Sequence, residues 1–430
     1  MISKRKMVAS AVIASLALAA CGGDDDEPAA DDSADEPAAE PSDEPADDSG
    51  DEPAAEPAGD VPECAVDEVD GDLFLYNWAE YIDPELLTAF ETQYGVKVTQ
   101  DTYDSNEAMQ PIISAGNSGY DVIVPSDYMV SILIANGDIL PLNKDAIPNY
   151  SNLAPDFQSG LPYDPEGAYA APYQWGTTGL GVDKAVTGED FPRSWALVFD
   201  QATAEQYGAA GSISLLNDPR ETLGAALKYL GYSLNSTSEE ELNEAKELVA
   251  NAPIQAFDSD GYDENLATGQ TVVGHGYSGN FFVQFAEADD PSQYEYFVPA
   301  EGGTRWVDNM AVVHDAPHPC TAHTFINFIL DAENGAALTN WNYYASPNAA
   351  AEASILPEIL EDPAIYPEDI SKLEFISDTG DYEINFSDAF IEARAENRAP
   401  DGSGTFWRCR PRSLRPDGQK VPDPIWLNRT

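Results

Sequence analysis

Three short runs in this sequence place aromatic and acidic residues side by side. They are Trp78-Ala79-Glu80-Tyr81, Tyr103-Asp104-Ser105-Asn106-Glu107 and Pro125-Ser126-Asp127-Tyr128. A carboxylate next to an aromatic face suits one kind of guest. The carboxylate neutralises a positive charge, and the ring quadrupole attracts it. Three such runs together point to a site built for a cation. No nucleophile elbow, phosphate loop or metalloprotease motif accompanies them, so the paired carboxylates have no catalytic context and no enzyme activity is expected.

The composition points the same way. The 430 residues include 77 acidic and 20 basic ones, a formal net charge of −57. Nucleic acid and anionic membrane surfaces are excluded as partners, because both require clustered Lys and Arg. Most of this charge serves solubility. Only a few of the carboxylates can be ligands.

The runs sit where strands should end. Leu73 to Trp78 reads as a strand. Asp83-Pro84-Glu85 reads as N-cap, first-position proline and first-turn acid of a helix that Gly95 closes. Val96 to Tyr103 is a second strand, and a helix is expected from Ser105 to Ala115. Tyr120 to Val124 is a continuous apolar strand of the kind found inside a parallel sheet. This βαβα order argues an α/β fold, whose ligands bind beyond the carboxyl ends of the strands.

The same residues resemble the bacterial periplasmic spermidine/putrescine-binding proteins. The likeness is carried by Tyr76 to Tyr81, Tyr103 to Glu107 and Tyr120 to Ser126. Further on it is carried by Pro172 to Thr178, Asp218-Pro219-Arg220-Glu221, Glu301-Gly302-Gly303, Trp306-Val307-Asp308, Tyr344 and Pro347-Asn348. It spans about residues 72–393. The resemblance implies a two-lobed periplasmic-binding-protein fold of the type II-like class, closing by a hinge. Lobe one would be 70–177 plus 308–352, and lobe two 178–307 plus 353–393. Crossovers near Thr178, Asp308 and Glu352 would form the hinge. It also implies a polyamine ligand, the permease and ATPase of an ABC importer as partners, a monomeric state and no cofactor.

By family position, Glu80, Asp218, Glu221 and Asp308 would bind the nitrogens. Trp78, Tyr81, Tyr128, Tyr277, Trp306 and Tyr344 would form an aromatic box, and Ser126 would add a hydrogen bond. Each has a plainer alternative. Trp78 and Trp306 also read as core aromatics, and Asp308 as a strand-end carboxylate. Asp218 and Glu221 also read as a helix N-cap and a first-turn acid. Arg220 reads as a structural ion-pair partner. Three positions depart from the family. Ala79 replaces a hydroxyl residue, Tyr277 replaces a tryptophan, and Asn280 stands where putrescine-preferring relatives carry an acid. Spermidine is therefore expected over putrescine. Another cationic amine, such as an opine, a choline-like compound or a basic peptide, would need a similar box.

Residues 1–21 read as a secretory signal: Lys4, Arg5 and Lys6, then an apolar stretch from Val8 to Ala20. Leu18-Ala19-Ala20-Cys21 resembles the bacterial lipobox, which implies a diacylglycerol on Cys21. The protein is then exported and held to the cell membrane by lipid alone. Residues 22–60 contain only Gly, Asp, Glu, Pro, Ala and Ser. Such a segment has nothing with which to build a core and reads as an acidic tether. Residues 394–430 form a basic tail to which no role is assigned.

With Cys21 lipidated, Cys64, Cys320 and Cys409 remain. Cys64 lies just before the first strand, and Cys320 lies between a strand and a helix of the same expected lobe. A Cys64–Cys320 disulfide is expected, with Cys409 free or paired between molecules. The rival reading is a metal site on His314, His318, Cys320 and His323, whose spacing is compatible with Zn²⁺. It needs a free thiol, and Pro317 and Pro319 interrupt its geometry.

Overall fold

The computed structural model describes residues 60–103 and 105–397. The signal segment with Cys21, the tether up to residue 59 and the chain beyond residue 397, Cys409 included, lie outside the described residues. The expected tail loses its first four residues to the helix Glu383–Asn397.

Eleven strands among the described residues form one sheet. They are β1 (Leu73–Trp78), β2 (Val98–Tyr103), β3 (Val122–Ile123), β4 (Ile139–Leu140), β5 (Ala170–Asp183), β6 (Ile213–Leu215), β7 (Ala256–Phe257), β8 (Val273–Tyr277), β9 (Tyr294–Phe297), β10 (Gly303–Val313) and β11 (Leu373–Glu374). The order is β2-β1-β3-β10-β5-β8-β6-β7, with β4 and β11 on β10 and β9 on β5.

Two parallel blocks lie at the ends, β2-β1-β3 and β8-β6-β7. The long strands β10 and β5 join them, antiparallel to each other, to β3 and to β8. The sheet is therefore mixed rather than uniformly parallel. A strand buried on both faces is apolar throughout, so its sequence does not record which way its neighbours run. All fourteen residues of β5 are buried.

Local signals account for the first elements. The Asp83 carboxylate accepts from the Glu85 amide at 2.9 Å, Pro84 opens the helix Pro84–Tyr94, and Gly95 closes it at φ 73°. Ser105 caps the helix Asn106–Ser114 in the same way, accepting from the Ala108 amide at 3.1 Å.

Two large apolar cores flank the crossing strands. The first gathers Leu73, Leu75, Phe90, Ile123, Leu133, Val312 and Phe325. The second gathers Leu180, Trp195, Ile213, Leu223, Val273, Phe386 and Phe390. A small third cluster, centred on Tyr262 and Phe281, shares Tyr277 and Phe282 with the first. Ile355, Ile359 and Ile365 pack into the first core. The chain therefore stays with that core well past Glu352, where the crossover was expected. The apolar spacing of this short-helix segment carries no label for which core it serves.

Cys64 and Cys320 are disulfide-bonded across a sequence separation of 256 residues. The bond fastens the leading segment to the helix Pro319–Ile329. Beside it, the Thr321 amide donates to Asp70 at 2.9 Å and the Thr324 hydroxyl to the Glu68 carbonyl at 2.7 Å. This spends the Cys320 thiol. His323 is also engaged: its Nε2 accepts from the Asn143 amide at 3.0 Å, and its Nδ1 lies 2.6 Å from the Pro319 carbonyl. No group of three or more metal-binding side chains converges among the described residues. These findings overturn the zinc reading of His314, His318, Cys320 and His323.

Removing the disulfide as Cys64→Ser/Cys320→Ser should cost about 2–5 kcal/mol, as for other native disulfides. A thermal melt checks this. An unchanged midpoint would mean that the Asp70 and Thr324 contacts hold the segment unaided.

Candidate functional site

The two parallel blocks point their carboxyl ends at the crossing of β5 and β10. Trp78, Tyr103 and Ser126 emerge from the ends of β1, β2 and β3. Asp218 and Tyr277 emerge from β6 and β8. Register brings them together: Tyr277 pairs with Thr178 of β5, Gly176 with Trp306 of β10, and Ser126 bridges to Asp308. β10 carries its irregularity between Asp308 and Asn309.

Aromatic rings line this crossing. Tyr81, Tyr344, Trp306 and Tyr277 form a continuous edge-to-face chain with centroids 5.4, 5.1 and 6.1 Å apart. Tyr173 packs on the far side of Tyr81 and donates to its carbonyl at 2.7 Å. Two glycines make room. A Cβ on Gly176 would fall 2.5 Å from the Trp306 ring, and one on Gly279 would fall 2.7 Å from the Tyr344 ring. Trp78 belongs to a second group. Its indole donates to the Val124 carbonyl at 2.9 Å, and its ring lies 4.6 Å from that of Tyr103.

A hydrogen-bond relay runs across the first core's edge. The Ser126 hydroxyl donates to Asp308 at 2.7 Å and accepts from Asn106 at 3.1 Å. Asn106 also donates to the Tyr128 hydroxyl at 3.2 Å, and Tyr128 donates to Glu107 at 2.7 Å. Asp127 ties β10 to this edge by accepting from the Val307 amide at 3.0 Å.

The acids differ in environment. Asp308 is 6% exposed, and burial pushes its carboxyl up to about 6, against the opposing pull of Ser126 and Tyr81. Asp218 caps the helix Pro219–Leu230, accepting from the Glu221 amide at 2.9 Å. It keeps some accessible surface yet lies deep among protein atoms. Burial raises it to about 6, and the charge of Glu107 adds to the rise. Glu221 has both oxygens engaged, by the Thr178 hydroxyl at 2.9 Å and the Thr304 hydroxyl at 2.7 Å. Burial lifts it to about 8, with Asp218 contributing. Glu80 is exposed at the mouth, at φ 52°. Arg220 pairs with Glu383 at 2.7 Å and also donates to Asn235 and the Ser377 carbonyl.

Every residue expected in the site therefore lies near one crossing, in different positions. Asp308, Tyr81, Tyr344, Trp306, Tyr277, Ser126, Tyr128 and Asp218 form its wall. Glu221 sits behind, tying β5 to β10. Trp78 supports the Tyr103 side, and Glu80 stands at the rim. Sequence reasoning passed over Asn106, Glu107, Asp127 and Asp263. Asn106 and Glu107 lay within one of the quoted runs, so their type was visible but their contacts were not. Asp127 too lay within a quoted run, with its contact to β10 hidden.

Among the buried polar atoms without a partner of ordinary geometry is the Trp306 indole nitrogen; the Tyr81 hydroxyl is another, although it lies within hydrogen-bonding reach of Asp308. The crossing thus combines buried acids with an aromatic wall, the makings of a receptor for a cationic solute.

The profile of the bacterial extracellular solute-binding proteins matches residues 85–367. The chain is 36% identical over 304 residues to a putrescine/cadaverine-binding protein of Pseudomonas aeruginosa, covering 69% of this chain and 85% of that protein. It is 35% identical over 315 residues to a spermidine/putrescine-binding periplasmic protein of Escherichia coli, covering 72% and 87%. Among solved structures, a putative spermidine/putrescine ABC transporter from Listeria monocytogenes aligns with a TM-score of 0.70 at 33% identity, covering 76% of this chain and 99% of that one. The Tp0655 lipoprotein of Treponema pallidum aligns with a TM-score of 0.65 at 31% identity, covering 75% and 98%. The chain belongs to the bacterial extracellular solute-binding protein family, whose members are substrate-binding transport proteins and not enzymes. Among the described residues, no helix is long and apolar enough to cross a membrane.

Proposed function

We propose that this protein is a lipid-anchored receptor outside the cytoplasmic membrane that closes on a polyamine and hands it to an ABC importer. One observation carries the ligand class: acids from both cores converge on one aromatic wall. Glu107 and Asp308 come from the first core's side, Asp218 and Glu221 from the second's. Burying ionised carboxylates without cations is costly. A chain of ammonium groups relieves that cost at several points, while its methylenes lie on the rings. Relatives named for putrescine, cadaverine and spermidine support this class.

Spermidine is the favoured ligand over putrescine. Glu80, Asp308 and Asp218 are separate carboxylate positions, enough for three nitrogens. The neutral Asn280 spends its carbonyl on the Tyr344 hydroxyl at 2.5 Å and offers no fourth charge. The two lobes of this reading are 70–177 plus 308–352 and 178–307 plus 353–393, with side chains beyond Glu352, Ile355 to Ile365 among them, still packed on the first core. The lipid anchor rests on the lipobox at Cys21, and a lipoprotein stands among the similar structures. Cys21→Ala should move the protein from the membrane fraction to the soluble one. Retention of the variant in the membrane fraction would contradict the anchor.

Binding should follow pH with a definite sign. Asp218 and Asp308 titrate near 6 and Glu221 near 8 in the free protein. A bound cation favours their ionised forms, so binding releases protons, and affinity falls as pH drops from 8 to 5. Stability of the free protein runs the other way. These carboxyls are raised above their unfolded values, so their stabilising effect is full below about pH 4 and is lost as pH rises through 6 to 8. Calorimetry in two buffers of different ionisation heat measures the proton release. Uptake of protons, or affinity flat across this range, would contradict the site.

A further inference from the structure

We infer that Gln174 is a positioning residue of the binding site: through Asn342 it holds the turn that swings the Tyr344 ring into the aromatic wall. The inference rests on the polyamine reading above and adds to it a residue that acts from behind the wall.

The helix Ala332–Asn342 ends on Tyr343 at φ 61°. The helices Pro84–Tyr94, Asp127–Asn136 and Pro219–Leu230 close in the same left-handed region on Gly95, Gly137 and Gly231. Glycine is the usual choice there because it has no Cβ to clash. A tyrosine in that conformation costs free energy and persists where its surroundings over-determine it. The turn carries the chain out of the helix and sets the next ring, Tyr344, against Tyr81 and Trp306.

Buried polar side chains supply those surroundings. Gln174, 1% exposed on β5, stands opposite Asp308 in the register with β10. Its carbonyl accepts from the Asn342 side-chain amide, and its own amide donates to the Thr339 hydroxyl at 3.3 Å. Asn342 is 2% exposed, and its side-chain carbonyl accepts from the Tyr344 backbone amide at 3.2 Å. The Thr339 carbonyl accepts from the Tyr343 amide at 2.8 Å. One residue further along each segment, Trp175 and Ala345 exchange backbone hydrogen bonds at 3.0 and 3.1 Å. Gln174 therefore grips both ends of the last helical turn, and Tyr344 leaves that turn already aimed.

The ring's tip is held separately, by donation from its hydroxyl to Asn280 at 2.5 Å. Without the Gln174 amide, the Asn342 side chain is buried without its partner, at a cost to stability. Tyr343 is then released toward an unstrained conformation, which turns the Tyr344 ring off the wall.

The test is a double-mutant cycle on the exported chain. Wild type, Gln174→Met, Tyr344→Ala and the pair are each titrated with spermidine and melted without ligand. Gln174→Met should weaken binding by about tenfold, within the range for losing one aromatic contact with a cation. In the Tyr344→Ala background it should cost less than about twofold, because the ring it positions is gone. The thermal midpoint should fall equally in both backgrounds, since the unpaired Asn342 amide is present in both. That split separates positioning from packing. Asn342→Ala removes the same bond from its other side and carries the same prediction, so the cycle is read on whichever variant folds. Equal affinity losses in both backgrounds, or an affinity that Gln174→Met leaves unchanged, would overturn the positioning role. So would loss of the fold in both variants, which would make the pair purely structural. A wild type that folds and binds no polyamine would instead remove the reading on which the inference rests.

Discussion

Asp308→Asn should weaken polyamine binding by between about 30-fold and several thousand-fold. That range converts the cost of truncating one partner of a buried charge pair, about 2–5 kcal/mol, at about 1.4 kcal/mol per tenfold. The replacement keeps the shape. An amide oxygen still accepts from Ser126, which now donates to Asp308 at 2.7 Å, and the buried site stays filled. What is lost is the charge that a buried ammonium needs. The same substitution should stabilise the free protein above pH 6, because ionising this 6% exposed carboxyl is what burial resists. Affinity and stability thus move in opposite directions, and melts with and without ligand read both. A variant that loses both together would show that Asp308 is a packing residue.

Trp306→Ala should act twice. The indole is 8% exposed, part of the first core and the centre of the ring chain between Tyr344 and Tyr277. Truncating a buried Trp costs about 3–5 kcal/mol of stability. It also removes the wall against which the methylenes lie, and its cation–π contact contributes roughly 0.5–2 kcal/mol. Affinity should fall by about a hundredfold, counting the lost apolar contact with it. Trp306→Phe separates the two effects: it keeps an aromatic face and should recover most of the affinity while restoring less of the packing. Equal affinity in Trp306→Ala and wild type would exclude the indole from the site.

The difference between these residues and their neighbours bears on what a sequence can reveal. β1 runs from Leu73 to Trp78 as its run of apolar and aromatic residues leads one to expect, and Asp83, Pro84 and Gly95 delimit the first helix because capping chemistry is local. The acid and aromatic content of the strand ends is local too, so the proposal of a cationic guest was legible. The strand expected over Tyr120–Val124 pairs only at Val122–Ile123, because hydrogen bonding depends on where β1 and β10 lie. Glu221 looked like a ligand, yet Thr178 and Thr304, both far from it in the chain, claim its oxygens. Asp263 gave no sign at all. Its burial beside the β8 end is set by the fold and not by its neighbours in the chain. Reach between distant segments is a property of the sheet order, and the apolar pattern of β5 and β10 does not write that order down.

The most direct measurement is titration calorimetry of the exported chain with spermidine, at pH 7.5 and two salt concentrations. Tight one-to-one binding that weakens with salt and is lost in Asp308→Asn is the predicted result. A folded protein that takes up neither spermidine nor any other polyamine would contradict the central claim.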